Sequence, residues 1–259
     1  MRAYIVRRLL LMIPTLLGVS FIIFVLVHLV PGDVIDAMQR VPDIRLDRAA
    51  LEHQLGLDAS LPVQYGRWMG FLPQMDGNFS GVFQGNLGKS FLQGKTVVEL
   101  VSIAWPVTLE HGIMAFILAQ LIALPIGTYS ALRQDKWGDY IGRSFAIMAI
   151  AIPGFWLGTL AMVFPAIWWD YMPPIMLVHF TEDPMGNLRM FIVPVIILGL
   201  AASGASMRIT RTQVLEVLRQ DYIRTAWAKG LKERVVIIRH ALKNALIPVV
   251  SGMGLQVPV

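Results

Sequence analysis

Leu9 to Leu29, LLLMIPTLLGVSFIIFVLVHL, holds 21 residues with no Asp, Glu, Lys or Arg, and His28 is its one titratable side chain. At about 1.5 Å per residue, a helix of this length crosses the roughly 30 Å hydrocarbon core of a bilayer. The stretch is therefore expected to be a transmembrane helix, and the rest of the chain is read from that premise. Arg2, Arg7 and Arg8 precede the run, as they would in a secretory signal. A signal core is only about 7–15 residues long and ends in small residues. This run is longer, and the following HLVPGD offers no such cleavage site.

Composition agrees, with 56% hydrophobic residues, 15% charged residues and a mean hydropathy of +0.61, outside the usual range of a soluble domain. Four further segments are long and apolar enough to cross: 105–132, 144–168, 190–207 and a run from Ala241 to the end of the chain. The segment 144–168, third of the five spans, contains AIPGFW, where Pro153 removes an amide from the helix ladder. It reads as one long helix broken at that point, since neither half would cross alone. The fold class predicted is all-α, a polytopic transmembrane helical bundle of five spans. Glu110 and His111 fall near one end of the second span. An ionised pair there either anchors the helix at the interface or stands beside a transport path.

Lys and Arg placement sets the orientation. Five spans put the N-terminus, 133–143 and 208–243 on one side, with 3, 3 and 9 of the 22 basic residues; 31–104 and 169–189, on the other, hold 6 and 1. The N-terminus is thus expected in the cytoplasm, and the sequence pI of about 9.7 is a topology signal instead of a nucleic-acid footprint. The chain has no cysteine, so redox compartment is left open. No internal repeat of solenoid period and no low-complexity tract stands out.

The external segment 31–104 opens with Pro31-Gly32, which should stop the first helix as it leaves the bilayer. DRAALEHQLGLD reads as a short amphipathic helix with Leu51 and Leu55 on one side and Gly56 closing it. Further on, GNLGKS (85–90) ends like a phosphate-binding loop. Such a loop needs G-x-x-x-x-G-K-[ST] between a buried strand and a helix N-terminus. The first glycine would stand at 83, which is Phe83, and the preceding QMDGNFSGVF is polar and glycine-rich. These residues are therefore expected to form a surface turn, and any ATP to be bound by another chain. His28, His53, His111, His179 and His240 show no metal-ligand spacing. Nor does the chain carry a G-x-S-x-G elbow for nucleophilic chemistry.

The 36-residue stretch 208–243 carries nine bases and three acids between two spans. Val214, Leu218, Tyr222 and Trp227, with Leu215 and Ala226 filling in, recur at helical intervals. They predict one amphipathic helix on the membrane surface, closed by Gly230. A second helix is expected beyond Leu231, entering the bilayer from Ala241. Physics alone leaves two uses for the first helix, gripping anionic lipid or docking a protein.

Here the sequence resembles a known family, the membrane-spanning permease subunits of ATP-binding-cassette importers, in the dipeptide/oligopeptide/nickel branch. The resemblance runs through nearly all of the chain. RRLLLMIPTLLGVSFIIFVLVHLVPGD is similar to the branch's opening helix, LGLD with QY and GNLGKS with PVTLEHG to its external segment and second helix. MRITRTQVLEVLRQDYIRTAWAKGLKERVVIIRHALKNALIPVV resembles its signature cytoplasmic loop. The wider family builds that loop around Glu-Ala-Ala, three residues, then Gly; the register falls here on Arg224-Thr225-Ala226 and Gly230. Val34 stands where the branch commonly has proline, and Trp227 where arginine is usual.

The resemblance implies that Asp221, Tyr222, Arg224, Thr225, Ala226 and Gly230 form the coupling element that docks into an ATPase subunit. Pro125, Pro153 and Gly154 are candidate bends near the path. It also implies six spans and a longer C-terminus, whereas GMGLQVPV ends inside the fifth. The organisation expected is 1–30 as N-terminus and first helix, 31–104 as an external segment, and 105–259 as the permease core with the coupling loop 208–243. The implied partners are a related second permease, two ATP-binding-cassette ATPases carrying ATP and Mg, an extracytoplasmic solute-binding protein and membrane lipid, without nucleic acid. No cofactor or metal is expected on this chain, which would sit in a prokaryotic inner membrane and perform no bond chemistry. Peptide is the leading cargo, with nickel, glutathione and sugar as the branch's other cargoes. A secondary transporter is the rival class, disfavoured because no internal repeat and no mid-span acid is present.

Overall fold

Pro31 and Gly32 do end the first helix. In the computed structural model α1 runs Arg2–Leu29 and Gly32 follows at φ +97°. The structure describes residues 2–32, 34–39, 47–90, 93–172, 174 and 176–253; Asp33 of the Pro-Gly-Asp motif and the last residues of the fifth span, 254–259, lie outside them. The chain divides into two compact units, Met1–Trp105 and Pro106–Val259.

In the first unit α1 is apolar and largely exposed, as a helix meeting hydrocarbon is. It is followed by α2 (Val34–Gln39), α3 (Arg48–Leu55) and α4 (Leu61–Met69). The expected small helix is α3: Asp47 caps its start by accepting from the Ala50 amide, and Gly56 closes it at φ +67°. The α4 helix lies against the end of α1. Tyr65 and Ser20 share a 2.8 Å hydrogen bond, and Phe21, Phe24, Tyr65 and Trp68 form a ring cluster with centroids 5.3–6.1 Å apart. Glutamines hold the loop beyond: Gln74 donates to the Arg67 and Ser80 carbonyls, and Gln84 to the Gly70 carbonyl at 3.1 Å.

Continuing along the chain are α5 (Val97–Leu132), α6 (Trp137–Ala151), α7 (Gly154–Trp169), α8 (Pro184–Leu218), α9 (Asp221–Ala228) and α10 (Glu233–Val235); a π-helical segment (Val236–Leu242) and α11 (Lys243–Met253) complete it. Among the described residues, four helical runs are long and apolar enough to cross a membrane; α6 and α7 qualify together, bent by 85° at their break. The break is where Pro153 placed it, with Ile152 and Pro153 both extended at ψ 121° and 129°. By contrast α5 is continuous through Pro106 and Pro125, so the expected bend at Pro125 does not interrupt the helix.

Helix ends differ from those read in the sequence. The second span starts at Val97 instead of Trp105, the third at Trp137 instead of Ser144, and the fourth runs 184–218 instead of 190–207. Arg208 and Arg211 limit what lies in hydrocarbon but are good helix formers, so α8 continues past the apolar stretch. Its start is set by Asp183, whose carboxylate accepts from the Met185 and Gly186 amides at 3.1 and 3.0 Å with Pro184 in the first turn.

Small residues let α8 sit at the centre of the second unit. A Cβ at Gly204 would stand 2.7 Å from the Ala146 carbonyl oxygen of α6, and one at Gly127 of α5 would stand 2.9 Å from the Met207 carbonyl oxygen. Backbones thus approach closely, as membrane helices do where hydrophobic driving force between them is lacking. Ala123, Ala146 and Met207 form the core between these three helices.

Candidate functional site

The basic stretch 208–243 folds as three pieces instead of one surface helix and a span. Its first part, through Leu218, is the continuation of α8. Arg219 and Gln220 turn the chain, with Gln220 extended at ψ 147°, and α9 starts anew at Asp221. Of the period Val214, Leu218, Tyr222 and Trp227, the first two positions face the interior, but in α9 the buried residues are Ile223 and Ala226, with Tyr222 and Trp227 exposed. Val214 packs with Ala131 and Ala245, while Ile223 and Ala226 pack with Val236 and Ala241. Burying Ile223, only 1% exposed, contributes about 1.5–3 kcal/mol, enough to fix a short helix that has little stability of its own.

With Ile223 and Ala226 consumed inside, α9 turns Asp221, Arg224 and Thr225 outward; the Asp221 and Arg224 side chains are 94% and 75% exposed and pair at 3.2 Å. The Thr225 hydroxyl bonds back to the Asp221 carbonyl oxygen at 3.0 Å. Ala226 therefore belongs to the helix's foundation. Tyr222 is the fastening at the side: its hydroxyl accepts from Asn244 Nδ2 at 2.8 Å and donates to the His240 carbonyl oxygen at 3.4 Å. That carbonyl lies in the π-helical segment, a geometry often found at functional sites. Gly230 stands at φ +72° and donates to the Trp227 carbonyl oxygen at 2.9 Å, closing the element as its sequence position predicts. Trp227 is exposed and borders a hollow of about 310 Å³ with Leu132, Leu215, Leu218, Arg219 and Ile237.

One pairing was not singled out from the sequence. Asp139, in the first turn of α6 and fully buried, receives Arg211 of α8 bidentately at 2.7 and 2.6 Å. The Ser130 hydroxyl and the Asp135 amide, the latter at 3.0 Å, complete the carboxylate's shell. A buried ion pair holds only when its remaining hydrogen-bonding capacity is met, and here four donors meet it. The pair ties the turn between α5 and α6 to the part of α8 that leads into α9. The available signal was weak, two acids, Asp135 and Asp139, among the three bases of 133–143; the partner of Asp139 lies 72 residues away and no local pattern announces it.

Around Lys89, GNLGKS forms the expected turn, with Gly85 at φ +78° and Gly88 at φ +87°. Two of its amides are engaged by the chain itself: Gly88 N–H donates to Asn86 Oδ1 at 2.9 Å and Ser90 N–H to the Lys95 carbonyl oxygen at 2.8 Å. Lys89 pairs in an isolated antiparallel bridge with Thr96, and the next helix begins only at Val97. Nothing here aims a ring of amides at a phosphate. At the other candidate bend, Pro153 and Gly154 start α7 after the 85° turn.

Residues 123–259 match the family described as binding-protein-dependent transport system inner membrane component, and residues 1–111 match its N-terminal membrane component family. Among similar proteins, a putative peptide transport system permease protein of Brucella suis is 34% identical over 256 residues, covering 98% of this chain and 78% of the relative. The oligopeptide transport system permease protein AppB of Bacillus subtilis is 34% identical across 100% of this chain and 79% of its own length. The glutathione transport system permease protein GsiC of Salmonella typhi is 34% identical over 98% and 77%, respectively.

Proposed function

Because the chain belongs to the family of inner membrane components of binding-protein-dependent transport systems, we propose that it is the permease subunit of an ATP-driven peptide importer in which α9 receives the push of a cytoplasmic ATPase. The observation carrying the reading is the division of α9 into an apolar face spent on the chain's own core and an outward face of Asp221, Arg224 and Thr225. A lipid-gripping helix would turn its apolar side to the bilayer instead. Peptide is the cargo class named for the Brucella and Bacillus relatives, and glutathione is itself a tripeptide.

In this reading a related permease supplies the other half of the path, two ATPases hold ATP and Mg, and a solute-binding protein delivers cargo on the extracytoplasmic side. The excess of Lys and Arg in the N-terminus, 133–143 and 208–243 sets the N-terminus and α9 in the cytoplasm of an inner-membrane protein. This chain breaks no bond; its contribution is to carry displacement. Closure of the ATPases shifts α9, and α9 is seated on Val236 and Ala241 and fastened through Tyr222 to Asn244. Movement therefore reaches the π segment and α11, which packs along α8 at Val214 and Ala245. The Asp139–Arg211 pair then carries it to α6. The two states of the bundle, open inward and open outward, are populations that ATP binding redistributes.

The test is reconstitution of the chain with a second permease, ATPases and a binding protein of the same organism. ATP-dependent uptake of a tripeptide that requires the binding protein is expected. An assembled complex that moves no peptide under those conditions would remove the reading.

A further inference from the structure

A hollow of about 750 Å³ opens within the first unit, between the end of α1 and the helices α3 and α4, and it takes no part in the relay from α9 to α6. Its size is that of an ordinary ligand site, roughly 300–1,000 Å³. One wall is made by Ile23, Phe24 and Val27, from the last two turns of the membrane-crossing helix. Ile23 and Val27 are more than half exposed, so this wall continues onto the side of α1 that meets hydrocarbon. Trp68 of α4 stacks near Phe24, centroids 6.1 Å apart, and lines the same hollow, at the level where indoles gather in membranes.

The rest of the lining is polar, and its bonds leave one cation over. His28 Nε2 lies 3.2 Å from Gln64 Oε1, and Gln64 Nε2 donates to the Leu57 and Ala59 carbonyl oxygens at 3.0 and 2.7 Å. One turn on, Arg67 gives its Nε to the Pro73 carbonyl oxygen at 3.2 Å, while its Nη1 has no hydrogen-bond partner among the described residues. A Cβ built at Gly56 would stand 3.1 Å from that Nη1 and 3.9 Å from Met75 Cγ, so the guanidinium and the thioether share the neighbourhood of one turn. Nearby acids are already engaged. Asp58 pairs with His53 at 2.7 Å, and Asp76, on the lining, accepts from the amide and the side chain of Asn78, both at 3.0 Å.

A guanidinium without a counter-ion, beside an apolar wall that runs into hydrocarbon, calls for an amphiphile with an anionic head. Phosphate suits the fork of an arginine, and in a membrane it is the phosphodiester of a phospholipid that arrives joined to an apolar chain. A free peptide or an inorganic anion would meet the charge and leave the wall bare. We propose that the hollow seats a phospholipid, its phosphate on Arg67 and the start of an acyl chain along Ile23, Phe24 and Val27. Lipid would then be a fixed part of the joint between the first span and the external helices. The proposal goes beyond the importer reading: it needs α1 to cross the membrane and is indifferent to the cargo.

The experiment mixes the assembled complex, in detergent, with a phosphatidylethanolamine carrying a diazirine beside one ester group, then irradiates and maps the adducts by mass spectrometry. Label is expected on Met75, which lies in a loop outside the spans, and on α7, whose lack of buried residues makes it the standard for ordinary lipid contact. Relative to α7, Arg67→Gln should lower the Met75 label by about tenfold or more, the size of a charge-assisted hydrogen-bond set. Arg67→Lys should keep more than half of it. Val27→Trp, which fills the apolar wall without touching a polar group, should lower it as Arg67→Gln does. Excess unlabelled phosphatidylethanolamine should displace the label, and equal excesses of inorganic phosphate and of tri-alanine should not. No label on Met75, or a label that Arg67→Gln or Val27→Trp leaves in place, overturns the proposal. Displacement by phosphate or by tri-alanine also overturns it, since the hollow would then take a free anion or the cargo. Equal loss in Arg67→Gln and Arg67→Lys would trace the effect to the Pro73 contact, which both variants lack, and the lipid site would fall.

Discussion

At Gly230 a methyl group and an indole should separate two consequences of one substitution. The residue sits at φ +72°, a conformation that costs a residue with a Cβ about 1–2 kcal/mol. A Cβ built there meets no atom within 4 Å, so the chain itself adds no steric term. Gly230→Ala and Gly230→Trp should therefore lower the stability of the isolated permease by a similar amount, about 1 kcal/mol, or roughly a fivefold shift toward unfolding. They should part company only in the assembly, because open space beside Gly230 is where a docked ATPase surface would stand. The assay pairs thermal unfolding of the purified permease with ATPase co-purification and peptide uptake in vesicles. Gly230→Ala should keep its ATPases and transport at reduced rate, and Gly230→Trp should stay inserted, stay paired with the sister permease, and lose transport. A Gly230→Trp protein that holds its ATPases and transports normally would refute the coupling assignment. Unequal destabilisation of the isolated permease would refute the claim that position 230 is sterically open.

Asp139→Asn should cost about 3–5 kcal/mol of stability in detergent by leaving Arg211 uncompensated. Adding Arg211→Leu should recover part of that loss, so a double variant no better than the single would count against the ion pair. Lys89→Ala should leave ATP binding and hydrolysis by the assembled transporter nearly unchanged, because its turn lacks the buried strand and the helix start that a phosphate loop needs; loss of nucleotide binding with assembly intact would show the turn was misjudged. The cysteine-free chain allows single cysteines to report topology. Lys95→Cys should react with an impermeant thiol reagent on intact cells and Lys229→Cys only after the membrane is opened, and the reverse pattern would invert the orientation.

What the sequence made legible follows from which interactions are local. Hydropathy located the long apolar helices among the described residues, since length and apolarity are properties of a contiguous run. The stops at Pro31-Gly32, Gly56, Pro153 and Gly230 were readable because proline and glycine act on their own backbone. Helix ends beyond the apolar stretch were not: the extension of α5 back to Val97 and of α8 on to Leu218 depends on caps and packing that hydropathy does not encode. Pro125 lies inside a continuous α5, as neighbouring helices in a membrane protein can re-satisfy the backbone a proline leaves open. The single amphipathic period read from Val214 to Trp227 concealed a break at Arg219-Gln220, and beyond it Ile223 and Ala226 are buried in place of Tyr222 and Trp227. Asp139 with Arg211, and the meeting of His111 with Phe191, are long-range pairs that only the fold discloses.

The central claim, that the outward face of α9 is the contact for an ATPase, is tested most directly by photo-crosslinking from that face. A photoreactive amino acid replacing Arg224 in the assembled transporter should attach to an ATPase subunit, while the same group replacing the buried Ile223 should attach only within this chain. Crosslinks from position 224 that go to lipid, with the ATPases still co-purifying, would contradict the account.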